Sequence, residues 1–314
     1  MKTTPSFPKL TSNRTGAPMK LRSALAVAAL AISAALAPSM AWAQKAFATP
    51  EAAGNAFIDA VATNDDAMLH ALLGPDLRRF IPERVDDETR TAFLYASSKG
   101  RKIQSDGPDR ARLAVGPDNW TLPLPLVKSG AGWQFDVRAG AEEMRIRRIG
   151  RNELAAMQAL LAYYDAQKDY ALVDRIGDGV LEYAQRFRST PGKRDGLFWP
   201  NDPASPLGPL YGDETKDGIY HGYRFRILKT QGPAARGGVR DYVVKGRMTQ
   251  GFAAVAWPAK YDDTGVMTFI VSHDGNVYQK NLGAGTDTAA RAMTTFNPDE
   301  AWTQVPDSVL IAKP

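Results

Sequence analysis

The sequence predicts an α+β protein built from two helix-and-sheet assemblies, a small N-terminal one and a larger one led by a long helix. Three observations carry this. Apolar residues recur at helical spacing before Gly107 and alternate with a period of two after it. A helical pattern then covers residues 139–175. From Gly222 the alternation returns, and Asp274-Gly275 marks a tight hairpin between apolar runs.

The elements follow in order. Thr49-Pro50-Glu51 is a helix start, with Thr as N-cap, Pro in the first turn and an acid beside it. Ala53, Phe57, Ala60 and Val61 continue it at helical spacing. A second short helix carries Met68, Leu69, Leu72 and Leu73 and stops at Gly74-Pro75. A third begins at Asp86 or Asp87 and buries Phe93 and Leu94. Strands are expected at Ala111–Val115, Thr121–Val127 and Trp133–Val137, the last two joined by a turn through Ser129-Gly130.

In the long helix the first half is charged, with Glu143 and Arg147 at a favourable spacing. Its arginines Arg145, Arg147, Arg148 and Arg151 read as a solvated face rather than an anion patch. Residues 187–222 are rich in Pro, Gly and aromatics, and so long an irregular stretch is either functional or packed over a core. Strands are then expected from Tyr223 to Leu228, at Tyr242–Val244, Phe252–Trp257, Val266–Ser272 and Val277–Lys280, with a loose tail from Asn297.

Residues 1–43 read as an export leader. They hold Lys2, Lys9, Arg14, Lys20 and Arg22, no acid, an apolar run from Ser23 to Ala37, and Ala41-Trp42-Ala43. The run is about fifteen residues, short of the roughly twenty a spanning helix needs, so cleavage after Ala43 is expected. Translation starting at Met1 and at Met19 both fit, since Met19-Lys20-Leu21-Arg22 is itself an ordinary start. The division is therefore 1–43 signal peptide, 44–138 N-terminal α+β domain, 139–296 long helix, aromatic loop and antiparallel sheet, and 297–314 tail.

Without the leader's five basic residues, the 39 Lys+Arg fall to 34, equal to the 34 Asp+Glu. The expected mature chain is charge-balanced and gives no reason to invoke nucleic acid. With no cysteine anywhere, no disulfide staples the fold and apolar cores must hold it.

Several blocks carry resemblances. Ala48-Thr49-Pro50-Glu51-Ala52-Ala53 with Phe57 resembles the opening of the nuclear-transport-factor-2-like superfamily. Ile149-Gly150-Arg151-Asn152-Glu153-Leu154, Gly179-Val180-Leu181-Glu182-Tyr183-Ala184-Gln185, Ser189-Thr190-Pro191-Gly192-Lys193 and Tyr220-His221-Gly222-Tyr223 are similar to blocks of bacterial exported proteins grouped as domain of unknown function 2950. That resemblance implies export and a shared fold and brings no established activity.

The second half also resembles the globular heads of type IV pilins and pseudopilins. The features are Asn-Glu in a long helix, Gln167 and Tyr170 late in it, Gly222-Tyr223-x-Phe225, Thr264-Gly265 and Asp274-Gly275-x-Val277-Tyr278. This implies a helix packed on an antiparallel sheet. The leader is not a prepilin one, so the resemblance extends to the head fold and not to a filament subunit.

Candidate chemistry is sparse. Asp174, Asp178 and Glu182 around a Gly turn suggest a calcium loop, but Ile176 and Gln185 occupy two ligand positions of an EF-hand, and a polar turn fits as well. His221, with Glu182 or Asp217 to orient it, and Asp178 as a further candidate form the acid–base set a hydrolase of envelope polymers would need. No cofactor motif is present. Phe198, Trp199, Tyr211, Tyr220 and Tyr223, with Arg224 and Arg226 on the following strand, form the candidate contact surface. The reading is an exported periplasmic or secreted module that binds or assembles, with an envelope protein or polysaccharide as partner. No nucleic acid and no stable membrane insertion after cleavage are expected. The hydrolase is the second reading, and convergence of its groups in one cleft separates the two.

Overall fold

A computed structural model describes residues 44–76, 78, 87–175, 177–208 and 218–310. The leader, Asp86, Ile176, Tyr211 and Asp217 lie outside the described residues. The class is α+β with antiparallel sheets, and no described helix is long and apolar enough to cross a membrane.

The first helix, α1 (Pro50–Thr63), starts where the sequence says: Thr49 Oγ1 accepts from the Ala52 N–H at 3.2 Å. Helix α2 (Asp66–Leu73) is capped by Asp65, which accepts from the Met68 N–H, and it stops at Gly74. Helix α3 is Asp87–Lys99. The sheet beside them contains β1 (Arg101–Ser105), β2 (Arg110–Val115), β3 (Trp120–Thr121), β4 (Leu126–Ser129) and β5 (Gly132–Phe135). Its order is β1-β2-β4-β5, with β3 also paired to β2.

Two differences from expectation have simple causes. The strand expected over Thr121–Val127 is split, because Pro123 and Pro125 have no N–H to give a ladder. Strand β1 is unforeseen: Arg-Lys-Ile-Gln-Ser holds one apolar residue, and pairing with β2 alone makes it a strand.

The long helix, α4, runs Val137–Tyr170, and the Asp136 carboxylate caps it by accepting from the Ala139 N–H. It ends five residues before the expected Arg175. Beyond it the Asp174 carboxylate accepts from the N–H groups of Gly177 and Gly179, which builds a turn. Gly140 permits a close crossing, since a Cβ there would stand 2.4 Å from Leu124 Cδ2.

Short strands β6 (Ile219–Tyr220), β7 (Tyr223–Leu228), β8 (Thr230–Gln231), β9 (Arg240–Asp241), β10 (Val243–Val244) and β11 (Arg247–Met248) follow. Then come β12 (Ala253–Pro258), β13 (Met267–Ser272), β14 (Val277–Asn281), β15 (Thr295–Phe296) and β16 (Thr303–Gln304). The main sheet has the order β16-β14-β13-β12-β7-β6 and is antiparallel throughout. Every residue of β12 is buried, because α4 and the short helix Thr286–Ala292 both pack against it.

Within the compact unit Trp42–Pro314, buried side chains form two apolar clusters. Phe57, Leu72, Leu126 and Phe135 belong to the first, onto which Val137, Ala141 and Met144 of α4 pack. Ala156, Leu160, Tyr163 and Tyr170 of the same helix belong to the second, so one helix serves both cores. Residues 297–305 of the loose tail expected from Asn297 are instead docked. Strand β16 covers the edge of β14, Val305 is buried, and Asn297 Oδ1 accepts from the Ala234 N–H.

Candidate functional site

The site begins with how α4 is fastened to the sheet. Glu153 Oε1 accepts from the N–H groups of both Val266 and Met267 at 2.9 Å, and Asn152 Nδ2 donates to the Thr264 carbonyl at 2.8 Å. One to two turns earlier, Arg145 pairs with Glu142 at 2.6 Å and Asp262 at 2.7 Å, Arg147 with Glu143 at 2.8 Å, and Arg148 with Asp263. Arg147 also donates to the Thr121 carbonyl at 2.7 Å, so these three arginines tie the helix to other elements rather than forming a solvated face. Arg151 alone of the four lines an open groove.

Across from the helix, β6 and β7 are joined by a two-residue turn, His221-Gly222, with φ of 45° and 73°. Two successive left-handed residues are the signature of the hairpin turn that matches strand twist. Gly222 also allows contact with the helix, since a Cβ there would stand 2.8 Å from Asn152 Nδ2. The turn leaves His221 exposed, its ring edge-on to Tyr220 at 4.4 Å.

Between helix and hairpin lies a groove of about 720 Å³. Ala155, Ala159 and Ala162 form one wall, with Arg151, Asn152 and Gln158 along it. Phe187, Leu207, Tyr220, His221 and Phe225 form the other. At the base, Tyr163 donates its hydroxyl proton to the Ala253 carbonyl at 3.1 Å, and burial pushes that phenol far above its ordinary range. The groove is a largely apolar slot with polar groups at its margin, the general design of a small binding site.

The expected contact residues are distributed unevenly. Tyr220 lines the groove. Phe198, Trp199 and Tyr223 are only 8%, 5% and 0% exposed, so they are core and not a contact surface. Trp199 is held by its indole N–H on the Gly196 carbonyl at 2.7 Å and by Ser205 Oγ on its backbone N–H at 2.9 Å. Arg226 donates to the carbonyls of Ala290, Arg291 and Met293, where it caps the end of the helix Thr286–Ala292. Arg224 is half-buried on β7 beside Trp257.

The acid–base set does not converge. Asp178 and Glu182 both pair with Arg247, the latter at 3.2 Å, whereas His221 stands on the groove. No described depression is lined by both Glu182 and His221. The calcium loop is replaced by the turn that Asp174 builds with backbone N–H groups. Among the described residues no group of three or more His, Asp or Glu is placed to hold a metal ion.

Sequence reasoning missed Phe187 and Phe225 as wall residues. It also missed the alanines, whose spacing of four and three residues puts them on one helix face and was legible.

The chain matches, over residues 44–305, the family described as protein of unknown function (DUF2950). It belongs to that family. No curated protein and no solved structure matches it. The match spans both apolar cores, the groove and β16, so the whole assembly described above falls within the DUF2950 region.

A second histidine in this region carries a pH prediction. His273 is half-buried beside Tyr242 at 5.5 Å, and its Nδ1 is buried without a hydrogen-bond partner among the described residues. Burial lowers its pKa below the ordinary 6.5; the Asp274 charge opposes this and Arg240 adds to it. The unfolded chain thus binds more protons between the folded value and 6.5, so stability falls as pH drops through that window. Thermal unfolding of wild type is expected to show this loss as pH falls below the ordinary 6.5, and His273→Leu to show less of it. Equal slopes in the two proteins would assign the loss elsewhere.

Proposed function

We propose that this protein is exported and acts in the bacterial envelope as a binding module, with the groove between α4 and the β6–β7 hairpin as its ligand site. The lining of that groove carries the reading: small alanine side chains face Phe187, Tyr220 and Phe225, and Arg151 and His221 stand at the margin. Such a slot fits an extended apolar or aromatic segment of a partner protein, with the rings supplying contact area at low entropic cost. The basic, acid-free leader with Ala41-Trp42-Ala43 supports export. The pilin-head likeness bears on fold alone, because the leader is not of the prepilin kind.

Ala159→Trp tests the site, since Ala159 is half-buried on the wall and an indole there fills the slot. With folding verified by circular dichroism, the variant is expected to lose at least ten-fold of the partner captured from envelope extract by wild type, a cost of about 1.4 kcal/mol. An unchanged partner profile would remove the groove from the proposal.

A further inference from the structure

A second depression, of about 670 Å³, lies where the loop after α4 meets the segment 183–195 and β11. Six cations line it, Arg175, Arg186, Lys193, Arg194, Lys229 and Arg247, against two carboxylates, Glu182 and Asp195. Two further acids neutralise lining cations from outside: Asp178 on Arg247 and Asp202 on Arg194 at 2.6 Å. Asp195 stands 3.6 Å from Arg186, and Glu182 3.2 Å from Arg247. Six positive charges against four negative leave an excess of two, in a chain expected to be charge-balanced once its leader is gone.

Arg175 is the unusual member. Its guanidinium lies 5.0 Å from the ring centroids of both Tyr170 and Trp199, and Arg194 lies over the same indole at 4.6 Å. Stacking fixes the plane of a guanidinium while leaving its edge donors unused. The Arg175 Nε is buried and has no hydrogen-bond partner among the described residues. A buried N–H without an acceptor is costly, and such groups call for an explanation.

We propose that this depression binds a dianionic phosphate group. Arg175 is its oriented anchor, and the exposed Lys193 and Lys229, the latter donating to Gln185 Oε1 at 3.2 Å, are the point charges at its rim. An excess of two matches a phosphate monoester above its second pKa, near 6, whereas a carboxylate would neutralise half of it. The proposal concerns a different site from the groove and stands or falls separately. Two sources of the phosphate are open to the same chemistry, a free phosphate or small ester and a lipid headgroup. The second has a structural counterpart in Leu172 and Leu181, which are 75% and 54% exposed on the loop that carries Arg175.

The test is calorimetric titration of the full chain with inorganic phosphate at pH about 7.5, with acetate and chloride at matched ionic strength as controls. A flotation assay on phosphatidylcholine vesicles with and without phosphatidic acid runs alongside. Saturable phosphate binding is expected, weakened about ten-fold or more in Arg175→Gln, as for loss of a charge-assisted hydrogen bond. Because Arg175 also packs on two rings, Lys193→Gln combined with Lys229→Gln, both at exposed positions, is expected to weaken binding several-fold without touching the core.

Binding of inorganic phosphate that survives Leu172→Ser with Leu181→Ser assigns a free phosphate or small ester. Binding confined to phosphatidic acid vesicles and lost in that variant assigns a headgroup. The proposal is overturned by the absence of saturable binding in both assays, by an equal response to acetate, or by affinity unchanged in folded Arg175→Gln and in the double lysine variant.

Discussion

Gly265→Ala is expected to destabilise the fold by about 3 kcal/mol, the upper range for overpacking a core. A Cβ at this position would stand 2.1 Å from Tyr223 Oη and 2.6 Å from its Cε2 and Cζ. Neither side can yield cheaply. Tyr223 is fully buried and its hydroxyl donates to the Met267 carbonyl at 2.9 Å. The Gly265 carbonyl accepts from the Asp262 N–H, and the next residue back, Thr264, accepts from Asn152. Any shift of this loop therefore also loosens the helix that walls the groove. Urea unfolding is the direct measurement, read as a fall in midpoint with the slope unchanged. Combining Gly265→Ala with Tyr223→Leu, which removes the clashing ring atoms, is expected to cost less than the sum of the two. A loss below about 0.5 kcal/mol for Gly265→Ala, the ordinary range of surface changes, would falsify the tight joint.

Gln167→Leu is expected to cost about 2–4 kcal/mol despite adding apolar character to a buried position. Gln167 is fully buried and acts as a clamp. Its Oε1 accepts from the Ala184 N–H at 2.8 Å, and its Nε2 donates to the Ala184 carbonyl at 2.8 Å and to Tyr163 Oη at 3.1 Å. Leucine fills nearly the same volume and strands both backbone groups of Ala184, which is itself buried. The signature beyond lost stability is local: the Ala184 amide should exchange with solvent far faster in the variant than in wild type. A neutral substitution, with Ala184 still protected, would mean that the segment re-pairs elsewhere and that the clamp is dispensable.

These two residues show how far the sequence could be read. Gln167, Gly222-Tyr223 and Thr264-Gly265 stand out in the sequence only by a resemblance to other proteins, and nothing local says what they do. Glutamine in a helix reads as solvent-facing, and only the return of the chain at Ala184 turns it into a buried clamp. Glycine at 265 reads as a turn, and only the arrival of Tyr223 from 42 positions away makes it obligatory.

The helix caps at Thr49 and the start of α1 were legible because a cap is satisfied within one turn. Strand β1 and the docked β16 were not, because an edge strand is defined by its neighbour and not by its own composition. The aromatic loop misled for a related reason. Phe198 and Trp199 are equally good contact residues and core residues in composition, and burial depends on what the loop lies against.

The sequence by itself determined the α+β class, the presence and charge of the long helix, the absence of disulfides and the start of α1. All of these follow from periodicity or composition over a short window. Only the tertiary structure decided that the helical arginines fasten elements together, that Arg226 caps a helix, and that Glu182 and His221 face different depressions. It likewise brought the alanine face of α4 opposite Tyr220 and stacked Arg175 between two rings. The physical reason is range: capping and amphipathicity are settled within a few residues, whereas a charge's partner or a groove's second wall arrives from a distant part of the chain.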